Sequence, residues 1–328
     1  MTLPRSHYVQ EDTVSVYHCF SRCVRRAYLC GFDAATGRNY SHRKAWIREK
    51  LRELSGIYAI EVISYSVLEN HYHTVLRTRP DIAGGWSDTE VARRWLVLSP
   101  NRYRSKRKPP PGLEEQIAML AENTDRIEEL RKRLSSLSWF MKYVNEYVAR
   151  AANKEDAVKG RFWESRFKCQ RLLDEAAVLA CMVYVDLNPI RAGIAGRLED
   201  SDYTSIQERI RQWRKEKEAA GEGMDSWLCP IKADGKEGGI LPMREEEYFE
   251  VVDRSGRMVR SDKRGCIKED LVPILERIGA RHAGWLDTIT KFGSRFGLVA
   301  GRQSHMREYA CLLGKRWFVG TSAAAAAP

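Results

Sequence analysis

The chain predicts an α+β fold on an antiparallel sheet with split βαβ topology, the ferredoxin-like layout, carrying a helical insertion and a small C-terminal α/β extension. Two observations carry this. Short β-rich runs and helical runs follow one another as strand, helix, strand, strand, helical insertion, strand, helix. Two of the β-rich runs, 58–68 and 72–79, are joined by a turn near Glu69-Asn70 so short that they form an antiparallel hairpin.

Residues 14–24 read as the first strand, with Val14, Val16, His18 and Phe20 on one face and Tyr17 and Cys19 on the other. Ser41 is the expected cap of a helix running to Ser55, with Trp46, Ile47, Leu51 and Leu54 on its apolar side and Gly56 closing it. The 58–79 hairpin comes next. The helical insertion, about 81–152, opens with a helix start at Ser87-Asp88-Thr89-Glu90 that runs to about Leu98. Arg102, Tyr103, Arg104, Lys106, Arg107 and Lys108 combine cations with a ring, the composition of a nucleic-acid-contacting loop and equally of a solvated linker. Pro109-Pro110-Pro111 stiffens the link to residues 112–152, which read as one or two long helices. Their second half is apolar around Trp139, Phe140, Tyr143, Val144 and Tyr147.

Residues 161–171 read as the fourth strand, where Arg161, Arg166 and Lys168 are either phosphate clamps or ordinary surface charges. Asp174 is the expected N-cap of the next helix, and Pro189 should end it, because a residue before proline is pushed out of α geometry. This divides the chain into a main domain at 1–212, a linker at 213–240, an accessory module at 241–320 that grips DNA in one reading, and a tail at 321–328. Within the module a hairpin is expected about Asp253-Arg254-Ser255-Gly256, with helices at 270–278 and 286–292 and near His305.

His71-Tyr72-His73 is the stretch richest in chemistry. On a strand, two imidazoles two residues apart project from one face and can hold one divalent metal, while Tyr72 packs into the opposite face. Tyr184 and Asn188, four apart on the late helix, face the same way. They form either a nucleophile and a third metal ligand, or a buried stripe of Ala177, Cys181 and Tyr184 ended by Asn188. A formal net charge of +11 favours a polyanionic partner. No apolar run is long enough to span a bilayer and no signal-peptide pattern is present, so a cytoplasmic protein without a membrane partner is expected. The eight cysteines include no Cys-x-x-Cys pair and read as reduced thiols. His282 and His305 have no partner at metal spacing.

Asn70-His71-Tyr72-His73, then Phe162-Trp163-Glu164, then Tyr184 through Gly193 resemble, in order and approximate spacing, the motifs of the single-tyrosine HUH transposases. Within them the chain looks most like the REP-associated tyrosine transposases. The resemblance runs from about residue 14 to about residue 210; residues 81–137 are a longer insertion than compact members carry, and nothing after about 212 has a counterpart. It implies the same fold, in a prokaryotic, nucleoid-associated enzyme. It further implies a metal-dependent single-strand DNA transposase, or nicking-joining endonuclease, that acts beside hairpins and forms a phosphotyrosine at the 5′ phosphate. Tyr184 is then catalytic, and His71, His73 and Asn188 hold Mg²⁺ or Mn²⁺, with Mn²⁺ better suited to two imidazoles. Asp186 and Glu164 are the candidate bases, although Asp186 lies two residues from Tyr184 and faces elsewhere. Two other classes stay open: a metal phosphohydrolase with water as nucleophile, and a non-catalytic hairpin-DNA-binding protein. Monomer and homodimer are both open.

Overall fold

A computed structural model describes residues 7–24, 30–34, 37–98, 112–218, 226–232, 238–259, 289, 292–294 and 296–322. The expected basic-loop residues Arg102, Arg104, Lys106, Arg107 and Lys108 lie outside them, as do the expected helix at 270–278, most of that at 286–292, and His282.

The fold is α+β. Its main sheet contains β1 (Ser15–Arg22), β4 (Ile60–Val67), β5 (His71–Thr78), β6 (Lys168–Leu172) and β7 (Val299–Ala300), in the order β4-β5-β1-β6-β7. β2 (Phe32–Asp33) and β3 (Arg38–Asn39) make a separate two-stranded ribbon. β5 is antiparallel to both β1 and β4, so β1 and β4 run the same way with β5 between them. Helix α1 (Arg43–Ser55) makes the crossover, which is the split βαβ arrangement. β7 adds a strand parallel to β6, so the sheet is mixed rather than purely antiparallel.

The alternation read from the sequence places the two faces correctly. Tyr17, Cys19 and Tyr72 enter one core with Ile47, Leu51 and Leu54 of α1. Each such fully buried aliphatic side chain contributes about 1.5–3 kcal/mol. The insertion builds most of this layer from α2 (Pro80–Gly85), α3 (Asp88–Leu98), α4 (Leu113–Ala121), α5 (Thr124–Ser135) and α6 (Leu137–Glu155). Arg43 is fully buried beneath it, ion-paired with Glu155 and Asp156 at the end of α6. Ser87 caps α3 as expected, accepting from the Glu90 N–H at 3.2 Å. Ser41 does not cap α1: the helix starts after His42 with no side-chain cap.

The other face carries α7 (Glu175–Asp186), which is buried nearly all round and so has no solvent face. Asp174 caps it, its Oδ1 accepting from the Ala177 N–H at 2.8 Å. Leu187 separates α7 from α8 (Asn188–Arg191), which Pro189 helps to start, since its fixed φ suits a first helical turn. Further along lie α9 (Ser205–Glu218), α10 (Glu245–Val259) and α11 (Gln303–Leu312). Ile206, Val251, Val252, Met306 and Phe318 belong to the same apolar cluster as α7.

Two further expectations are corrected. The hairpin about Asp253-Arg254-Ser255-Gly256 is absent: these residues lie inside α10. Tyr248, Val251, Val252 and Ser255 recur at helical spacing and are buried, and this stripe overrides the turn-like composition. The fourth strand is β6 alone; residues 161–167 are irregular, entered through Gly160 at φ +115° and anchored by buried Phe162 and Phe167.

Candidate functional site

β5 delivers His71 and His73 to the α7 side of the sheet, with ring centroids 4.9 Å apart. Tyr72 between them points the other way, and its hydroxyl donates to the Asn145 side-chain oxygen at 2.9 Å. His73 Nδ1 shares a 2.9 Å hydrogen bond with Nε2 of His18 on β1. Its own Nε2 is buried with no hydrogen-bond partner among the described residues. His71 Nδ1 is held by the side-chain oxygen of Asn70. Each ring of the pair thus has Nε2 available, the arrangement in which the second nitrogen fixes the ligand's orientation.

Burial keeps all three imidazoles neutral at pH 7, the form in which imidazole binds a metal. It pushes His18 down to about 4 and His71 to about 4, with the Arg22 charge adding to the effect at His71. His73 is driven well below its ordinary value by burial, then by His18, His71 and Arg22.

Tyr184, near the end of α7, meets this group. Its ring stands edge-on to His73 at 5.7 Å and to His18 at 5.9 Å between centroids. Phe292 packs on it at 5.8 Å, and the Arg191 guanidinium carbon lies 5.2 Å from the ring centre. Burial raises the phenol's pKa and Cys181 adds to the rise, while Arg191 and Arg22 pull it back. A Cβ at Gly293 would lie 2.8 Å from the Tyr184 hydroxyl oxygen, so the backbone there lies close against that oxygen. Asn188 begins α8, half-buried, with its amide Nδ2 buried and without a hydrogen-bond partner among the described residues.

The cationic side chains divide. Lys168 stands in the row His73–Phe20–Lys168 that the strand register draws across the sheet, with its ammonium 5.6 Å from the Phe20 ring centre. Arg161 and Arg166 are exposed in the irregular 161–167 segment. Main-chain bonds from Val24 to Phe162 at 2.9 Å and from Glu164 to Arg22 at 2.8 Å tie that segment to the end of β1, where Arg22 pairs with His71. Neither candidate base stands out as one. Asp186 turns away, accepting from Ser205 Oγ and the Tyr248 hydroxyl, both at 2.5 Å; Glu164 is exposed in the irregular segment. Tyr143 packs with the insertion helices in the opposite layer, against Tyr58 and Trp139.

His18, Arg22, Arg191 and the Phe292-Gly293 backbone were not assigned to the site from sequence. The first strand's alternation set His18 on the correct face, but nothing in the chain says which strand lies beside it. His305, without a partner at metal spacing in the sequence, binds the capping residue instead, Nδ1 to Asp174 Oδ2 at 3.0 Å.

Orphaned Nε2 of buried His73, the neutral imidazoles and an amide at Asn188 fit a divalent cation in part. Among the described residues no three His, Cys, Asp or Glu side chains cluster closely enough to hold a metal alone. The histidine pair therefore needs an oxygen donor, from Asn188 or from substrate.

No family model matches the chain, and no curated protein is similar to it. Among solved structures it is similar to a REP-associated tyrosine transposase bound to a REP hairpin, at 11% identity, TM-score 0.38, covering 73% of this chain and 97% of that one. Among the described residues no helix is long and apolar enough to cross a membrane.

Proposed function

We propose that the chain is a metal-dependent DNA nicking-joining enzyme, a transposase of the single-tyrosine kind, acting on single-stranded DNA at hairpin-flanked sites. The observation that carries this reading is the meeting of Tyr184 with the neutral His71–His73 pair, at 5.7 Å between the Tyr184 and His73 rings. A phenol beside two imidazoles with free Nε2 atoms is a nucleophile beside a metal seat.

His71, His73 and Asn188 would hold Mg²⁺ or Mn²⁺, which supplies charge stabilisation to the scissile phosphate and the departing oxygen. Tyr184 Oη attacks phosphorus in line. The Tyr184 O–P bond forms, the P–O bond to the 3′ sugar oxygen breaks, and the proton lost by the phenol ends on that oxygen as a 3′ hydroxyl. The phosphodiester is conserved as a 5′-phosphotyrosine, so a later strand end can displace Tyr184 without ATP. Lys168, Arg161, Arg166 and Arg22 would steer the strand along the sheet's open end. The catalytic unit in this reading is residues 1–212, and the 241–320 region contributes the segment against Tyr184.

Covalent capture tests it. End-labelled single strands from the DNA flanking the gene are incubated with Mn²⁺, Mg²⁺ or chelator and run on a denaturing gel. A metal-dependent protein–DNA adduct, lost in Tyr184→Phe, is the expected result, and the retained label gives the polarity.

A second reading has one observation in its favour: the backbone at Gly293 lies close against the Tyr184 hydroxyl, which suits a structural phenol. Water would then be the nucleophile of a metal phosphohydrolase, and cleavage without adduct would persist in Tyr184→Phe. Binding of hairpin DNA with no cleavage under any metal would identify a non-catalytic binder.

A further inference from the structure

Among the described residues Arg191 has no anionic partner. Nη2 donates to the Ile289 carbonyl at 2.6 Å, while Nε and Nη1 are buried with no hydrogen-bond partner among the described residues. Burial lowers its pKa only to about 10, so it stays charged at neutral pH. Asn188, three residues earlier on the same turn of α8, has its Nδ2 buried and unpartnered as well. Buried donors are almost always satisfied, and a buried guanidinium with free donors is costly. Two such side chains on one helical turn, with the Arg191 guanidinium carbon 5.2 Å from the Tyr184 ring centre, are an arrangement that an anion would complete.

We infer that Arg191 and Asn188 form a receptor for a tetrahedral phosphate group beside Tyr184. The guanidinium offers Nε or Nη1, which lie on different edges of its plane, to a phosphate oxygen, and the Asn188 amide adds a further donor. An amide has both a donor and an acceptor end, so Nδ2 can face phosphate while Oδ1 faces a metal. On the reading of Tyr184 as nucleophile, on which only the catalytic meaning rests, this receptor holds the scissile phosphate for attack. A lysine replaces it only in part, because it supplies a point charge rather than donors of fixed direction.

The test uses inorganic phosphate and the full chain in chelator-treated buffer, so that metal–phosphate pairing plays no part. Thermal melts and ³¹P NMR titrations are run on wild type, Arg191→Met, Arg191→Lys, Asn188→Ala and Tyr184→Phe. Wild type should show a saturable rise in Tm with phosphate. Arg191→Met should bind phosphate at least tenfold more weakly, yet melt no lower than wild type in phosphate-free buffer, because an apolar side chain replaces an unpaired buried charge. Arg191→Lys should retain part of the response and Asn188→Ala should weaken it severalfold. Tyr184→Phe should leave it intact, so absence of a DNA adduct would sink the nucleophile reading without touching this one. Equal phosphate responses in wild type, Arg191→Met and Asn188→Ala, or no saturable response in wild type, overturn the inference. Were Arg191→Met not to fold, Arg191→Lys and Asn188→Ala decide it by the same two readouts.

Discussion

His18 Nε2 lies 2.9 Å from His73 Nδ1, on adjacent strands, with the two rings stacked at 5.1 Å between centroids. The contact occupies the one nitrogen of His73 that would compete with Nε2 for a metal. On the proposed reading His18 therefore orients a ligand without being one.

His18→Phe should weaken Mn²⁺ binding by roughly 10–100-fold, the usual cost of losing a group that orients a ligating histidine. His73→Ala should abolish it. Calorimetric Mn²⁺ titration of the two variants against wild type checks the order. Equal affinity in His18→Phe and wild type would remove His18 from the site.

Gly293 and Tyr184 should be energetically coupled. Gly293→Ala places a methyl 2.8 Å from the phenolic oxygen, so one of the two must shift. Overpacking of this kind costs about 1–3 kcal/mol. In a Tyr184→Phe background the oxygen is gone and the cost should fall. Urea melts of the four-protein cycle measure the coupling; strict additivity would mean that the backbone moves away freely.

Arg43 is the strut between α1 and α6. It is fully buried, with Asp156 and Glu155 as its ion partners. Arg43→Ala removes the buried cation that pairs with Asp156 and Glu155 and should destabilise the fold by about 3–5 kcal/mol. Tm and urea midpoint read this directly, and a loss below about 1 kcal/mol, the range of an exposed ion pair, would show the pair to be incidental.

Asp186 gives a pH signature. Burial pushes its carboxyl up to about 6, against 3.8 ordinarily, despite bonds from Ser205 and Tyr248. Between those values the folded chain holds the proton more tightly than the unfolded one, so this group's contribution to stability falls as pH rises from about 4 to about 6. The full difference is on the order of 3 kcal/mol. Asp186→Asn should remove that slope. The Tm difference between variant and wild type, measured in chelator from below the ordinary carboxylate range to above neutrality, should therefore move in the variant's favour across the window and stay flat above it.

The sequence by itself determined what depends on period and on local chemistry. Alternation placed His71 and His73 on one face and Tyr72 on the other, because strand side chains alternate whatever the sheet does. The Glu69-Asn70 turn fixed the β4–β5 hairpin, and Asp174 marked the start of α7. Tertiary structure decided what depends on neighbours. Strand order put β1 beside β5 and so brought His18 onto His73, a pairing 55 residues apart in the chain. Core packing kept Asp253 to Gly256 helical, with Leu187 Cδ2 3.0 Å from where a Cβ on Gly256 would be. It also brought Phe292, Gly293 and Arg191 around Tyr184. The physical reason is that alternation and capping are settled within a few residues. Strand adjacency and the burial of a guanidinium are settled only when distant segments compete for the same apolar surface.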